Sequence, residues 1–310
     1  MHYFNDLLTI LIFISCVIAV FSLAIKVIVK IVNQASKKAN ISLSKSELLF
    51  LVLGGIGFIC ILYGYFIEPY WPSITHLTLS SKKILTGKPI RIVQISDLHC
   101  DPKPRLETIL PDLIAKEKPD LILFTGDAIN TPKGLPTFRK LLGSLSKIAP
   151  TYAVKGNWDS RFFQDLERFK NTGAVELDGQ PVKLSIGNNN IWLAGLPADS
   201  PNTIANVVKD IPKDEYKIFL FHYPHCMDEM KASNIDLYLA GHTHGGQVAL
   251  PFYGALITLS KTGKQYESGL YTSGETFLYV NRGIGMEGGR TPRVRFCARP
   301  EITVIDLIAK

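Results

Sequence analysis

Seven positions in this chain carry side chains that bind metal ions, and each follows a short apolar run. In chain order they are Asp97 with His99, Asp127, Asn157, His222, and His242 with His244. Four of the chain's seven histidines are in this set. Imidazole, carboxylate and amide oxygen together suit manganese, iron or zinc better than calcium. Seven ligating residues exceed what one tetrahedral ion takes. They suit two divalent ions sharing one carboxylate, and Asp127, the lone central carboxylate, is the natural bridge. Two ions roughly 3.5–4 Å apart clamp both oxygens of an in-line phosphoryl displacement.

Such side chains act together only if the elements before them end at one edge. Residues 90–95 alternate and are β-branched, which reads as a strand. Residues 121–124 form an apolar run after Pro119, and 151–154 a third strand. Helices are expected over 105–116, 136–147 and 162–170. This βαβαβα rhythm argues for a largely parallel sheet. After Gly173 the texture changes to short strands over 175–177, 182–186 and 191–194, separated by Asp-Gly and Gly-Asn-Asn-Asn turns that suit hairpins. Strands over 216–221 and 235–240 follow, and the tail adds 277–280, 294–296 and 302–305. The expectation is βα units first, then a more antiparallel half, giving two sheets with helices outside.

The chain has 310 residues, 46% hydrophobic, and a net charge of +7. Residues 7–25 and 48–67 carry no charge, each near the ~20 residues that cross a bilayer as a helix. Neither has a polar face to meet water. Residues 1–6 hold Asp6 and no Lys or Arg, so a cleaved signal peptide is not expected. The division read from this is a transmembrane hairpin over 1–68 with spans at about 7–29 and 48–67, a linker over 69–88, and a catalytic domain over 89–310. Lys26, Lys30, Lys37, Lys38 and Lys45 near the hairpin's loop favour a cytoplasmic loop, and hence an extracytoplasmic domain. Lys82, Lys83 and Lys88 beyond the second span, and cysteines with no paired spacing, pull the other way. The basic balance shows no aromatic-interleaved stripe. Its expected partners are the bilayer and a lipid-linked phosphate, not nucleic acid. Nothing in the sequence speaks to oligomeric state.

Asp97-x-His99, Gly126-Asp127, Gly156-Asn157, His222 and Gly241-His242-x-His244 resemble, in order and spacing, the calcineurin-like metallophosphoesterases. The resemblance covers nearly all of the soluble part. It implies an α/β fold, a four-layer α/β/β/α sandwich of two mixed sheets. It also implies two metal sites, one of Asp97, His99, Asp127 and His244, the other of Asp127, Asn157, His222 and His242. Asp127, Asn157 and His242 would then stand at the catalytic centre. In one place the chain departs from the family pattern. The family reads Gly-Asn-His-Asp or Gly-Asn-His-Glu where this chain reads Gly156-Asn157-Trp158-Asp159. An indole donates one N–H but shuttles no proton. Either Trp158 packs over the site, or the leaving group needs no proton, as a pyrophosphate does not. Trp158, Arg161 and Arg282 are the candidate substrate contacts, and the Gly-rich stretch 281–290 the candidate site wall. The branch this pattern is most similar to comprises the UDP-2,3-diacylglucosamine pyrophosphatases of lipid A synthesis, membrane-linked enzymes for which manganese is the expected metal. The alternatives are an extracytoplasmic phosphodiesterase or phosphatase of other substrate, and a metal-binding scaffold whose catalysis has faded.

Overall fold

The computed structural model describes residues 2–200, 203–287 and 293–310 and divides between Ile67 and Glu68. In the first unit, helix α1 (His2–Ser36) and helix α2 (Lys45–Phe66) lie against each other. Ser44 starts α2 with a reciprocal cap: its hydroxyl takes the Glu47 N–H and the Glu47 carboxylate takes the Ser44 N–H. Lys30 pairs with Glu47 at 2.7 Å. The helices touch through small residues, since a Cβ on Gly54 would lie against Ala24. Elsewhere their apolar side chains point outward: Leu11, Ile18, Ile25, Ile59 and Phe66 are all more than half exposed. Two spans, Leu7–Ser36 and Lys45–Tyr70, are long and apolar enough to cross a membrane.

Among the described residues the second unit has fourteen strands. They are β1 (Ser73–Ser81), β2 (Ile90–Ile95), β3 (Leu121–Phe124), β4 (Thr151–Ala153), β5 (Val175–Glu176), β6 (Val182–Ile186) and β7 (Asn189–Leu196). Next come β8 (Tyr216–Phe221), β9 (Leu237–Ala240), β10 (Ala249–Leu250), β11 (Gly254–Ala255), β12 (Gly269–Ser273), β13 (Thr276–Val280) and β14 (Glu301–Ala309). One six-stranded sheet has the order β1-β14-β2-β3-β4-β5, the other β12-β13-β9-β8-β7-β6. The alternation of each strand divides the core into three. Ile90 and Ile92 of β2 and Leu121 and Leu123 of β3 meet Ile218, Leu220, Leu237 and Leu239 between the sheets. Val93, Ile95, Ile122 and Phe124 face the other way, onto helices α3 (Leu110–Glu117) and α4 (Leu135–Leu145). A third helix, α5 (Asn157–Phe162), begins at a candidate ligand. On the far side Phe219, Tyr238 and Leu278 pack against α6 (Ile204–Val208) and α7 (Met227–Ala232). The result is the expected four layers.

Several expectations are corrected. The linker read over 69–88 contains β1, which runs parallel to β14 from Ser73↔Glu301 to Ser81↔Ala309. Its Thr, Ser and His content is that of an edge strand with one face in water. The helix expected over 162–170 is instead α5, and the following turns are tied by buried Arg168, which donates to the Asp159 and Phe163 carbonyls. The second sheet is antiparallel only at its margins. Its central pairs β13–β9, β9–β8 and β8–β7 are parallel. Residues 294–296 make only a bridge, Val248↔Phe296.

Candidate metal centre

Parallel strands end on the same side, so β2, β3 and β4 of one sheet and β8 and β9 of the other all deliver their next residues to one edge. Two contacts join the sheets there. Buried Gln94 donates to the Ala240 carbonyl at 2.9 Å, and His222 Nδ1 lies 2.7 Å from the Thr125 carbonyl. The loops that follow are tight. Asp97, His99, Asp127, His242 and His244 all adopt left-handed φ, between 39° and 73°. Each such residue costs on the order of 1 kcal/mol, and strain of this kind gathers at functional sites. The motif glycines serve close approach: a Cβ on Gly156 would strike the Asp127 carboxylate, and one on Gly241 would strike Asp97 and Ser96.

The ligating atoms converge. His222 Nε2 is 3.2 Å from Asp127 Oδ2 and 3.8 Å from Asp97 Oδ1. His99 Nε2 is 3.6 Å from Asp127 Oδ2, and His244 Nε2 is 3.3 Å from Asp97 Oδ1. Asp127 Oδ2 thus lies within reach of one imidazole from each expected set. Two groups could each hold a cation, Asp97–His99–His244 and Asp97–Asp127–His222, so Asp97 stands in both. The His242 ring lies 5.3 Å from that of His222, and its Nε2 is 3.4 Å from the Leu259 carbonyl.

The donor set fits metal. His99 Nδ1 and Nε2, His244 Nδ1 and Asn157 Oδ1 are buried with no hydrogen-bond partner. Unpartnered buried polar atoms are rare in folded proteins, and here they cluster among two carboxylates. The electrostatics say the same. Burial alone would raise the Asp97 and Asp127 carboxyls, but the surrounding histidines hold both below the ordinary carboxylate range. Burial opposes charge on His222, yet Asp127 and Asp97 outweigh it and push its pKa up to about 10. Burial lowers His99 and His242 to about 4. Two carboxylates kept ionised amid buried imidazoles favour a bound cation.

A second layer holds this arrangement, and sequence reading assigned it no role. The Asp159 carboxylate accepts the N–H groups of Asp127, Ala128 and Gly156, joining two ligand loops, and faces Arg168 at 3.3 Å with both side chains fully buried. Arg295, also fully buried, donates to the carbonyls of Arg282, Gly283, Gly285 and Ala298. The loop so fixed returns the N–H of Ile284 to the Ser96 carbonyl and that of Gly285 to the Asp97 carbonyl. Glu68 takes the N–H groups of Cys297 and Ala298 from the other side. Nothing in the local sequence marks Asp159, Arg168 or Arg295; they stand among other charged residues, and only burial sets them apart.

The candidate substrate contacts separate. Trp158 lies over the centre: its N–H donates to Asp127 Oδ1 at 2.8 Å and its ring meets that of His99 edge-on at 5.3 Å. Its indole N–H is taken by the carboxylate of Glu287, whose pKa burial raises. Arg161 is exposed, its guanidinium 5.3 Å from the Phe162 ring, which in turn lies against Trp158. Arg282 is held at one nitrogen, its Nη2 donating to Glu301 at 3.1 Å and to Ser73 at 3.0 Å. The stretch 281–287 does wall the centre at Asp97, while residues 288–290 of that expectation lie outside the described residues.

Two packed sheets with a cluster of His, Asp and Asn at their joint edge define a hydrolase with a candidate two-metal centre. The calcineurin-like phosphoesterase family matches residues 90–246, and this chain belongs to it. An uncharacterized metallophosphoesterase of Bacillus subtilis, YkuE, is 34% identical over 79% of this chain and 89% of its own. The phosphodiesterase YaeI of Escherichia coli is 30% identical over 79% of this chain and 92% of its own. The UDP-2,3-diacylglucosamine pyrophosphatase LpxG of Chlamydia trachomatis is 26% identical over 77% of this chain and 90% of its own. The chain is a metallophosphoesterase, a hydrolase of phosphate esters or anhydrides.

Proposed function

We propose that this chain is anchored in a membrane and hydrolyses a phosphate bond carried by a lipid. The observation that carries the reading is the pairing, in one polypeptide, of two apolar helices with a phosphoesterase domain. An enzyme held at a bilayer meets substrates held in the same bilayer far more often than soluble ones. Two divalent ions, manganese first and iron or zinc next, would be held by Asp97, His99, Asp127, Asn157, His222, His242 and His244. They would supply charge neutralisation and an activated water. The chain's own contribution is orientation: Asp159 fixes the loops of Asp127 and Asn157, and the Gly283–Gly285 segment supports Asp97.

Trp158 narrows the substrate. With its indole engaged by Glu287 it delivers no proton to a leaving oxygen. A leaving group stable as an anion fits best, and the pyrophosphate of UDP-2,3-diacylglucosamine is the most specific candidate. The LpxG relative supports it, and that substrate would require a cytoplasmic domain. A phosphodiester on the outer side is the second reading, favoured by the lysines between the two helices and by the relative named a phosphodiesterase. Purified full chain in nanodiscs, assayed with Mn²⁺ against a panel of lipid-linked phosphates and pyrophosphates, tests the first. Turnover of soluble aryl diesters with none of any lipid-linked substrate would refute it. Protease added to intact spheroplasts decides between the sides: removal of the domain beyond Ile67 favours the outer, full protection the inner.

A further inference from the structure

We propose that the β10–β11 hairpin, together with Leu259, forms a foot that seats the rim of the metal centre on an anionic lipid surface. The hairpin's tip is Pro251-Phe252-Tyr253. Phe252 is fully exposed and adopts φ 66°, a conformation unusual for a bulky residue. Tyr253 is 48% exposed, and Leu259, 45% exposed, also has left-handed φ at 53°. Apolar side chains held out into water by strained backbone call for a partner surface.

The display is braced. Lys264 Nζ lies 3.5 Å from the centre of the Tyr253 ring and donates to the Tyr253 carbonyl at 2.7 Å. Glu267 accepts the Ala255 N–H at 2.9 Å and pairs with Lys264 at 3.2 Å. Ala249 donates to the Phe296 carbonyl, and Leu256 to that of Val248. The hairpin therefore holds Phe252 outward instead of folding it back.

A lipid surface is the occupant the chemistry selects. From residue 249 to 267 the chain holds Lys261 and Lys264 against one carboxylate, Glu267, which leaves a net positive charge beside the tip. Aromatic and aliphatic side chains beside lysines are what the headgroup region of an anionic bilayer accepts. The same polypeptide carries two helices able to cross a membrane, so a bilayer lies within its reach. The foot also adjoins the chemistry. The Leu259 carbonyl faces His242 Nε2 at 3.4 Å, and β10 begins five residues after His244. The proposal is independent of the substrate suggested above.

The test is Phe252→Trp in the full chain, reconstituted one copy per nanodisc containing phosphatidylglycerol and brominated lipid, with the wild type and its three native tryptophans as baseline. The added emission should be blue-shifted and quenched by the bromines, and less so when phosphatidylglycerol is replaced by phosphatidylcholine. A Leu259→Trp reporter should lose that quenching when Phe252→Glu is added. Withdrawing a Phe-sized ring from water shifts the docked-to-undocked ratio roughly 10- to 100-fold. Emission typical of water-exposed indole and untouched by bromine would overturn the proposal. So would a blue shift that appears only when two copies share a disc, since the occupant would then be a second chain.

Discussion

Arg295→Lys is the substitution that most directly tests how the centre is held. Arg295 is 0% exposed and its guanidinium serves four carbonyls, those of Arg282, Gly283, Gly285 and Ala298. Burial pushes its pKa down to about 9, so it remains charged at neutral pH. A lysine keeps the charge but has one nitrogen at the end of a shorter stem, and lacks the planar fork that spans several acceptors. About two of the four carbonyls would be left without a donor. A buried unsatisfied acceptor costs ~1–3 kcal/mol, so the loss should be ~2–6 kcal/mol. For a domain of this size that corresponds to a fall in Tm of roughly 5–20 °C. The freed loop is the one that supports Asp97 through the Gly285 N–H at 2.7 Å. Metal affinity should therefore fall as well, by about 10–100-fold, the usual effect of losing an outer support. Melting of the ion-loaded and chelator-treated protein, with bound metal measured by mass spectrometry, reads both effects. If Arg295→Lys melts within about 2 °C of wild type and keeps both ions, the four-carbonyl arrangement does not organise the site and the reasoning fails.

Three further outcomes are expected. Asp127→Asn removes charge between two imidazoles and should leave less than about a tenth of wild-type turnover even at saturating Mn²⁺; more than that would remove Asp127 from the bridging position. With Trp158 in place of a proton donor, the wild type should hydrolyse aryl esters and pyrophosphates much faster than alkyl esters. Trp158→His should narrow the gap in kcat/KM, since such donors contribute ~10²–10⁴-fold; equal wild-type rates on aryl and alkyl esters would defeat this. In the ion-free protein His222 holds a proton up to about pH 10, so metal affinity measured against a competing chelator should rise about tenfold per pH unit between pH 6 and 9. Because the folded pKa is raised, that proton's contribution to ion-free stability is complete below the unfolded value and disappears as pH climbs through about 10. A flat affinity profile would show that no proton is displaced.

The ligand positions were legible because each is a polar residue interrupting an apolar, alternating run at a turn. Asp127 after Leu121–Phe124 and His222 after Tyr216–Phe221 are the clearest cases. Layer order followed from the same alternation, since Ile92 and Val93 already belong to opposite faces. What escaped notice depends on pairing across long sequence distances. Ser73–Ser81 reads as a polar connector until β14 lies beside it, more than two hundred residues away. The parallel centre of the second sheet was hidden by hairpin turns that occur only near its margins. Asp159, Arg168 and Arg295 look like ordinary surface charges, and only their burial reveals what they hold. Arg282, a cation in a glycine-rich loop, is paired with Glu301, a partner nineteen residues away that the local sequence does not single out.

The position of β14 bears on when the enzyme can acquire its metals. That strand, Glu301–Ala309, lies between the edge strand β1 and β2, and β2 is the strand that presents Asp97 and His99. During synthesis the ligands from Asp97 to His244 all leave the ribosome before the strand that steadies the first of them. A nascent chain thus has the ligands without the frame and would bind ions loosely or wrongly. Stable loading should consequently wait until Glu301–Ala309 has joined the sheet beside β2.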